Sequence, residues 1–285
     1  MKAKDKIKLA IAYDFDGTLA PGNMQEHSFI PKLGIDKMDF WQEANTYARK
    51  HDMDDILAYM QLMLQKANNK NIPITRSSFL EHGKEIVFFK GVETFFNRIN
   101  AYAAQYNTDI EHYIISSGVR DIVKGTPIAH HFKSIFASGY VFDNNDIAIW
   151  PALAINYTNK TQYLFRINKG IYNSWDNTKI NKYLKQDEKP MPFSKMVYIG
   201  DGLTDVPAMK MIKHQGGTAI AVYDPDEAEK PGVFSAKNVC EELIEQNRAD
   251  YIAPADYTEN SDLDKLIKTL INKIVQEEIL RRIGR

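Results

Sequence analysis

Cysteine is almost absent from this chain, which has 285 residues and a single cysteine, Cys240. One thiol cannot form an intramolecular disulfide, and it cannot supply the group of thiolates that binds a structural zinc ion. Cys240 lies within a helical pattern, where we expect it to be a small buried side chain. The cysteine content therefore excludes a disulfide framework and a cysteine-based zinc site.

The chain also lacks an excess of charge of either sign. It has 36 Lys and Arg residues against 37 Asp and Glu residues, so its formal net charge is -1. Such a chain has no overall field that would attract polyanions. We therefore expect neither nucleic acid nor an anionic membrane surface as a partner.

Long apolar runs are missing as well. No stretch approaches the roughly 20 apolar residues of a membrane-spanning helix. The basic start of the chain, which includes Lys2 and Lys4, is followed by a short apolar run that ends at Asp14 and not at a signal cleavage site. We therefore expect a cytoplasmic protein. The sequence leaves the oligomeric state open.

What is present is an alternation of short apolar segments and amphipathic helical patterns, in a chain with 44% hydrophobic residues. This alternation predicts an α/β fold with a doubly wound parallel sheet. Strands are predicted over 7–13, 112–115, 134–142, 196–199, 218–222 and 249–253. Helices are predicted over 36–51, 54–67, 75–87, 91–106, 178–184, 235–246 and 263–282.

Two regions interrupt the alternation. Residues 20–87 begin irregularly and then contain three successive helical patterns, which predicts a small all-helical unit inserted after the first strand. The remaining residues, 1–19 and 88–285, would form the core. Between 138 and 171, a turn at Asp143-Asn144-Asn145-Asp146 separates apolar segments and predicts a short β-hairpin insert, with a further β segment over 163–167.

The first predicted strand ends abruptly in two aspartates, Asp14 and Asp16, followed by Gly17 and Thr18. Aspartate and glycine alone would be typical of a surface turn. Here they follow a buried strand, and two carboxylates beside a low-dielectric core are destabilised unless a cation lies with them. The pair therefore indicates a site that also contains positive charge.

Two later strands end in polar residues of a related kind. Ser116 and Ser117 follow the strand over 112–115, and Asp201 and Asp205 follow the strand over 196–199. Ligands of open α/β sheets bind beyond the carboxyl ends of the strands. We therefore expect these side chains to converge with the two aspartates of the first strand.

A lysine is the expected source of positive charge. Lys179 lies near a predicted helix start, which favours it over Lys182 and Lys169. Each of these signals alone has an ordinary explanation as a hydroxyl-rich loop, a glycine turn or a solvated lysine. Their occurrence at three strand ends of one predicted sheet favours a functional site.

The order of these motifs resembles that of the haloacid dehalogenase-like (HAD) hydrolases. The resemblance covers residues 7 to about 222, and its motifs are Asp-Phe-Asp-Gly-Thr at 14–18, Ser116, Lys179 and Gly-Asp-Gly-Leu-Thr-Asp at 200–205. The helical insert looks like the family's C1-type cap. The serine motif and the last motif are similar to those of the phosphoserine-phosphatase-like branch. The resemblance implies a Rossmann-like core with an inserted cap.

The resemblance also implies a phosphatase. Family members that remove halogen lack the second aspartate of the first motif, and the cation-pumping ATPases have threonine there, whereas this chain has Asp16. By the same resemblance, Asp14, Asp201 and the backbone carbonyl of Asp16 would bind Mg²⁺, and Asp205 would bind one of its waters. Such an all-oxygen ligand set suits Mg²⁺.

The resemblance assigns two catalytic roles. Asp14 would attack the phosphorus atom and form an aspartyl-phosphate, and Asp16 would protonate the leaving oxygen and then activate water. Phosphate-binding residues would stabilise the charge on the phosphoryl oxygens or hold the turn around them. The residues implied are Ser116, Ser117, Lys179 and Thr18.

The implied substrate is a small phosphorylated metabolite whose leaving group is read by the cap. Candidate substrate residues are Asn23, Glu26, His27 and Arg120. Phosphoserine phosphatases usually have a glutamate where this chain has Asn23, which argues against an amino-acid substrate. Two alternatives stay open: a phosphotransferase that uses the same intermediate, and a non-catalytic protein that binds a phosphate ligand.

Overall fold

The computed structural model describes residues 6–227 and 235–284, so Lys2, Lys4 and the outermost residues of the predicted core lie outside the described residues. The strands are β1 (Ile7–Tyr13), β2 (Thr108–Val119), β3 (Phe132–Phe142), β4 (Ala148–Leu153), β5 (Met196–Gly200), β6 (Thr218–Tyr223) and β7 (Tyr251–Pro254). The α-helices are α1 (Met24–His27), α2 (Phe29–Lys32), α3 (Lys37–His51), α4 (Asp55–Asn69), α5 (Arg76–Lys84), α6 (Val92–Ala104), α7 (Arg120–Gly125), α8 (Lys160–Lys169), α9 (Asn177–Asn181), α10 (Val206–His214), α11 (Ala236–Glu245) and α12 (Asp262–Ile283). None of these helices combines the length and the apolar character needed to cross a lipid bilayer.

The strands form one sheet in the order β4-β3-β2-β1-β5-β6-β7. Neighbouring strands are parallel except β3 and β4, which form an antiparallel pair at one edge. Tyr13, the last residue of β1, lies beside Ile114 of β2 and Ile199 of β5. The residues that follow these three positions therefore emerge side by side at one end of the sheet, where the polar motifs begin.

β1 is apolar on both faces because helices cover both sides of the sheet. Leu9, Ile11 and Tyr13 lie in one hydrophobic cluster, together with residues of α6 and α12. The alanines between them lie in a second cluster with residues of α8, α10 and α11, as the two-residue period of a strand requires. Cys240 is buried in this second cluster as a small side chain, as expected. The doubly wound α/β core is confirmed.

Helices α1 to α5 all lie between β1 and α6, where the sequence predicts a helical insert. α3, α4 and α5 begin at capping side chains, because Asp36, Asp54 and Thr75 accept hydrogen bonds from backbone N–H groups of the first turn. The segment over 20–35, which looks irregular in the sequence, contains the single-turn helices α1 and α2. The definition of this insert as a separate domain stays a prediction.

α5 packs against the core through two glycines. A Cβ atom at Gly83 of α5 would lie 2.1 Å from the carbonyl oxygen of Ile122, and one at Gly125 of α7 would lie 2.0 Å from that of Leu80. A larger residue at either position would force the backbones apart, so α5 and α7 are in direct backbone contact. The segment before α5 also accepts a backbone hydrogen bond of 2.7 Å from β4. The last helix of the insert is thereby fixed to the core.

The hairpin insert is partly as predicted. β3 and β4 pair around the expected turn, in which the Asp143 carboxylate accepts hydrogen bonds from two backbone N–H groups. The β segment expected over 163–167 is wrong, because these residues belong to α8. Tyr163, Leu164 and Ile167 are buried on one face of that helix, which ends at Gly170 with a φ of 68°.

Candidate active site

Asp14 emerges from the end of β1 as a nearly buried carboxylate. Its Oδ1 atom accepts a hydrogen bond of 2.7 Å from the backbone N–H of Phe15, and its Oδ2 atom lies 2.6 Å from Nζ of Lys160. Burial raises the pKa of Asp14 to about 6, against the opposing effect of the lysine. The backbone N–H of Phe15 and the ammonium group of Lys160 thus hold the buried Asp14 carboxylate in one position.

Asp16 lies one turn further on and faces the helical insert. Its Oδ1 atom accepts a hydrogen bond of 2.8 Å from the backbone N–H of Met24, the first residue of α1. Burial, and then the neighbouring Asp14, raise the pKa of Asp16 well above its ordinary value. The side chain is therefore suited to holding a proton.

The turn between these aspartates and α1 depends on Gly17. Its φ is +71°, and a Cβ atom there would lie 2.2 Å from Oδ2 of Asp201. Only glycine accepts both the positive φ and this close approach. Backbone hydrogen bonds also hold the turn, including one of 2.8 Å from Leu19 to the carbonyl of Phe15.

The third strand end supplies Asp201 and Asp205. The Asp205 carboxylate is fully buried and accepts three hydrogen bonds: from the Tyr198 hydroxyl (2.5 Å), from Nζ of Lys160 (2.7 Å) and from the backbone N–H of Asp201 (3.1 Å). Burial, followed by the charges of Asp205 and Asp14, raises the pKa of Asp201 well above its ordinary value. Asp14, Asp201 and Asp205 thus place three carboxylates next to the single positive charge of Lys160.

Lys160, the first residue of α8, is the lysine of the site. Its side chain is 1% exposed and lies between Asp14 and Asp205. Burial alone would lower the pKa of Lys160, but the two carboxylates reverse this effect and hold it above its ordinary value. Sequence reasoning missed this residue because the segment was interpreted as a strand.

The expectation for Lys179 is corrected by its position. Its side chain is 72% exposed and pairs with Asp176, which also caps α9, at 3.2 Å. The alternative Lys169 donates to two backbone carbonyl oxygens, one of them that of Lys182. A helix start was the right signal, but the relevant helix is α8, whose helical spacing and terminal Gly170 could have identified it.

The serines and Thr18 occupy different positions in the site. The Ser116 hydroxyl is buried and accepts a hydrogen bond of 3.0 Å from the backbone N–H of Gly118. Ser117 lines the cavity, and its hydroxyl is buried without a hydrogen-bond partner. The Thr18 hydroxyl also has no partner, so the local hydrogen bond expected from this side chain is not formed.

The donor set fits a hard divalent cation. Carboxylate oxygens of Asp14, Asp201 and Asp205 all lie within 4.8 Å of one another. With Asp16 they bring four carboxylates to the region in which Lys160 is buried. Oxygen donors with this excess of negative charge are those that Mg²⁺ prefers.

A cavity of about 730 Å³ extends from these aspartates towards the helical insert. Asn23, Glu26 and His27 line it, so three of the four candidate substrate residues face the same space. Arg120 does not line it. Its guanidinium packs against β3, where a Cβ atom at Gly139 would lie 2.8 Å from it. The expectation that Arg120 reads the substrate therefore finds no support in its position.

The sequence matches the model of the haloacid dehalogenase-like hydrolase family over residues 11–210, which is more than two thirds of the chain. The chain belongs to the haloacid dehalogenase-like hydrolases. An uncharacterised protein of Borreliella burgdorferi is 28% identical to this HAD hydrolase over 306 residues, covering 96% of the chain and 99% of the relative.

Solved structures share the fold of this HAD hydrolase. A phosphoserine phosphatase with a phospho-aspartyl intermediate analogue aligns with a TM-score of 0.52 at 15% identity, covering 93% of this chain and 99% of that one. A probable phosphoserine phosphatase from Vibrio cholerae aligns with a TM-score of 0.55 at 11% identity, covering 96% of this chain and 69% of that one. The expected family and the likeness of fold to the phosphoserine-phosphatase-like branch are confirmed.

Proposed function

We propose that this HAD hydrolase is a Mg²⁺-dependent phosphatase that hydrolyses a small phosphorylated metabolite through an aspartyl-phosphate on Asp14. The observation that carries the proposal is the position of Asp14. It lines the cavity, with one carboxylate oxygen on Lys160 and with Asp16 lining the same cavity two residues later. A nucleophile and an acid in one cavity are what stepwise phosphoryl transfer requires.

Asp14, Asp201 and Asp205 would hold the metal ion. When bound, Mg²⁺ supplies positive charge that offsets the repulsion between a phosphate dianion and a carboxylate nucleophile. Lys160 holds Asp14 and Asp205 in place and offsets part of the same charge.

The chemistry in this proposal belongs to the two aspartates. A carboxylate oxygen of Asp14 forms a bond to phosphorus while the bond from phosphorus to the leaving oxygen breaks, and Asp16 gives its proton to that oxygen. Asp16 then takes a proton from a water molecule whose oxygen attacks phosphorus, which releases phosphate and restores Asp14. The raised pKa of Asp16 supports the first of these roles, because it favours the protonated acid before the reaction.

The last residues of β2, where its pairing with β3 is irregular, would bind the phosphoryl group. Ser117 offers a buried hydroxyl without a partner inside the cavity, which is a free donor for a phosphoryl oxygen. Tyr59 of α4 donates a hydrogen bond of 2.7 Å to the Ser117 carbonyl, so the helical insert contacts this end of the strand. Burial there limits access of bulk water to the intermediate.

Turnover of p-nitrophenyl phosphate with and without Mg²⁺ tests the function. We expect phosphate release that requires the divalent ion, and a loss of at least about 10³-fold in the Asp14→Asn variant, because an amide is not a nucleophile of this kind. Mass spectrometry of the quenched reaction should detect phosphate on Asp14. A folded wild-type protein without turnover above the Asp14→Asn variant would refute the proposal, and transfer of phosphate to an added alcohol in preference to water would indicate a phosphotransferase.

A further inference from the structure

The leaving group of the substrate would lie on the side of the cavity that is formed by α1. Asp16, which gives its proton to the leaving oxygen in the proposed reaction, is hydrogen-bonded to the first residue of α1. The next two residues, Gln25 and Glu26, both line the cavity. Whatever alcohol leaves the phosphate therefore departs beside Gln25 and Glu26.

The cavity as a whole is negatively charged beyond the catalytic aspartates. Four further carboxylate residues line it: Glu26, Asp55, Asp224 and Glu227. Among the lining residues within the described part of the chain, the basic side chains are Lys37 and His27. Lys37 lies 3.4 Å from Oε2 of Glu26, so the charges of this pair offset each other and the remaining negative charge includes that of Asp55 and Asp224. The ring of His27 contacts the Pro21 carbonyl through Nε2 and the Val87 N–H through Nδ1.

One aromatic ring, that of Trp41, contacts the Glu26 carboxylate, and a second ring packs against the first. The Trp41 indole N–H donates to Oε1 of Glu26 at 2.8 Å, and the ring of Tyr59 packs edge-on against Trp41 with centroids 5.6 Å apart. Asn23 donates to the same Glu26 oxygen at 2.7 Å, so the carboxylate is held in a fixed position. A carboxylate beside aromatic rings is a favourable environment for an ammonium group.

Gln25 supplies an independent observation. Its side chain is 2% exposed, lies within hydrogen-bonding reach of the Tyr59 hydroxyl, and its Oε1 atom has no hydrogen-bond partner. A buried acceptor without a donor is costly, so this oxygen calls for an N–H or O–H group from a ligand in the cavity.

We propose that the substrate is the phosphate ester of a small amino alcohol with a protonated primary amine and no carboxylate, of the O-phosphoethanolamine type. This inference rests on the proposed phosphatase function. The ammonium group would donate to Gln25 and Glu26 and lie against Trp41. Among the described lining residues, no basic side chain is free to bind a substrate carboxylate. A sugar or glycerol is uncharged at its leaving group and would not interact favourably with the negative charge of the cavity.

The reaction is then the hydrolysis of the ester to the free amino alcohol and inorganic phosphate. The bond between phosphorus and the alcohol oxygen breaks, that oxygen takes a proton, and the oxygen of one water molecule becomes bound to phosphorus. No oxidant, reductant or second substrate is required.

A comparison of kcat/KM among phosphate esters that differ in their leaving group tests the proposal. We would measure kcat/KM with Mg²⁺ for O-phosphoethanolamine, O-phosphoserine, phosphocholine and glycerol 3-phosphate, with p-nitrophenyl phosphate as a reference for phosphatase activity. We expect O-phosphoethanolamine to exceed each of the other three metabolites by about tenfold or more, since a hydrogen bond to a charged group contributes about 1.5–3 kcal/mol.

Variants then test whether Gln25 and Glu26 cause the preference for O-phosphoethanolamine. Glu26→Gln and Gln25→Leu should each lower the ratio of kcat/KM for O-phosphoethanolamine over glycerol 3-phosphate by about tenfold. The ratio is taken within each variant, so a general loss of activity cancels. Glu43→Gln is the matched control, because Glu43 lies on α3, is half-exposed and pairs with Lys66 outside the cavity. It should leave the ratio unchanged.

The outcomes separate this inference from the proposed function. Turnover of p-nitrophenyl phosphate with no preference for O-phosphoethanolamine, or with a preference for O-phosphoserine or phosphocholine, would overturn the inference alone. An unchanged ratio in both cavity variants would overturn the assignment to Gln25 and Glu26. A folded protein that turns over none of the esters would overturn the proposed function and this inference with it.

Discussion

Lys160 holds together two carboxylates that would otherwise repel each other. Its ammonium group lies 2.6 Å from Asp14 and 2.7 Å from Asp205, and all three side chains are almost fully buried. Removing one partner of a buried ion pair leaves the others as uncompensated charges, which commonly costs about 3–5 kcal/mol of stability. The residue therefore matters to folding as well as to the proposed chemistry.

We expect Lys160→Met to lower phosphatase kcat by at least about 10²-fold, because Asp14 loses the cation that orients it. Steady-state turnover of p-nitrophenyl phosphate would measure this, with thermal unfolding to record the loss of stability. Lys179→Met is the matched control, since the Lys179 side chain is exposed and outside the site. Equal activity of the two variants would contradict the assignment of Lys160.

The sequence predicts the aspartates more directly than the lysine. Asp14, Asp16 and Asp201 directly follow strands, and parallel strands necessarily bring their ends together. Lys160 is separated from Asp14 by 146 residues of sequence. It begins a helix whose sequence contains Tyr163 and Phe165, aromatic residues that are also common in strands. Only tertiary packing decides which of several lysines is brought to the carboxylates.

At the scale of secondary-structure elements, α4 is joined to the loop that precedes α8. Asp54, which caps α4, accepts a hydrogen bond of 2.7 Å from the Asn156 side chain. The neighbouring Asp55 accepts one of 2.8 Å from the Tyr157 hydroxyl. Because Lys160 follows three residues after Tyr157, these hydrogen bonds connect the helical insert to the segment that positions the buried lysine.

We predict that Tyr157→Phe lowers kcat for p-nitrophenyl phosphate about threefold to tenfold, because one hydrogen bond of about 1 kcal/mol between insert and lysine loop is lost. An Asp55→Ala variant and the double variant would complete the cycle, and we expect non-additive effects. Tyr183→Phe, which changes an exposed tyrosine, serves as the control. Additive effects would show that this contact does not couple the two elements.

Element boundaries were predictable where capping and periodicity agree. The sequence prediction of helices over 36–51 and 54–67 differs from α3 and α4 by at most two residues at either end, because Asp36 and Asp54 mark the starts. α1 and α2 are single turns of four residues each, too short to show a helical period. The residues proposed to read the substrate lie on one of these elements, so their placement depends on the structure.

For the whole molecule, two buried histidines make stability depend on pH. His112 lies between Tyr13 and Asn100, and His82 accepts or donates a hydrogen bond with Ser28 at 2.8 Å. Burial lowers the pKa of His82 to about 4 and that of His112 to about 3. Both rings therefore stay neutral in the folded protein at pH values where they become charged in the unfolded chain.

We expect the free energy of unfolding contributed by these rings to be fully present above about pH 6.5. It should fall as the pH drops to about 4 for His82 and to about 3 for His112, by up to about 1.4 kcal/mol per pH unit for each histidine. Urea denaturation at pH 7, 6 and 5 would measure the slope. His82→Gln should reduce it, whereas His51→Gln, at an exposed position of α3, should not. A slope that His82→Gln leaves intact would refute the contribution of His82.

The backbone contact between Gly83 of α5 and Gly125 of α7 has a thermodynamic consequence for ligand binding. Because it ties the last helix of the insert to the core, the insert, whose α1, α3 and α4 form a wall of the cavity, is anchored before any substrate arrives. A preformed wall loses little conformational entropy when it is occupied. Calorimetry should therefore find a small entropic penalty for the substrate, and Gly83→Ala, which separates the two helices, should weaken affinity by enlarging that penalty.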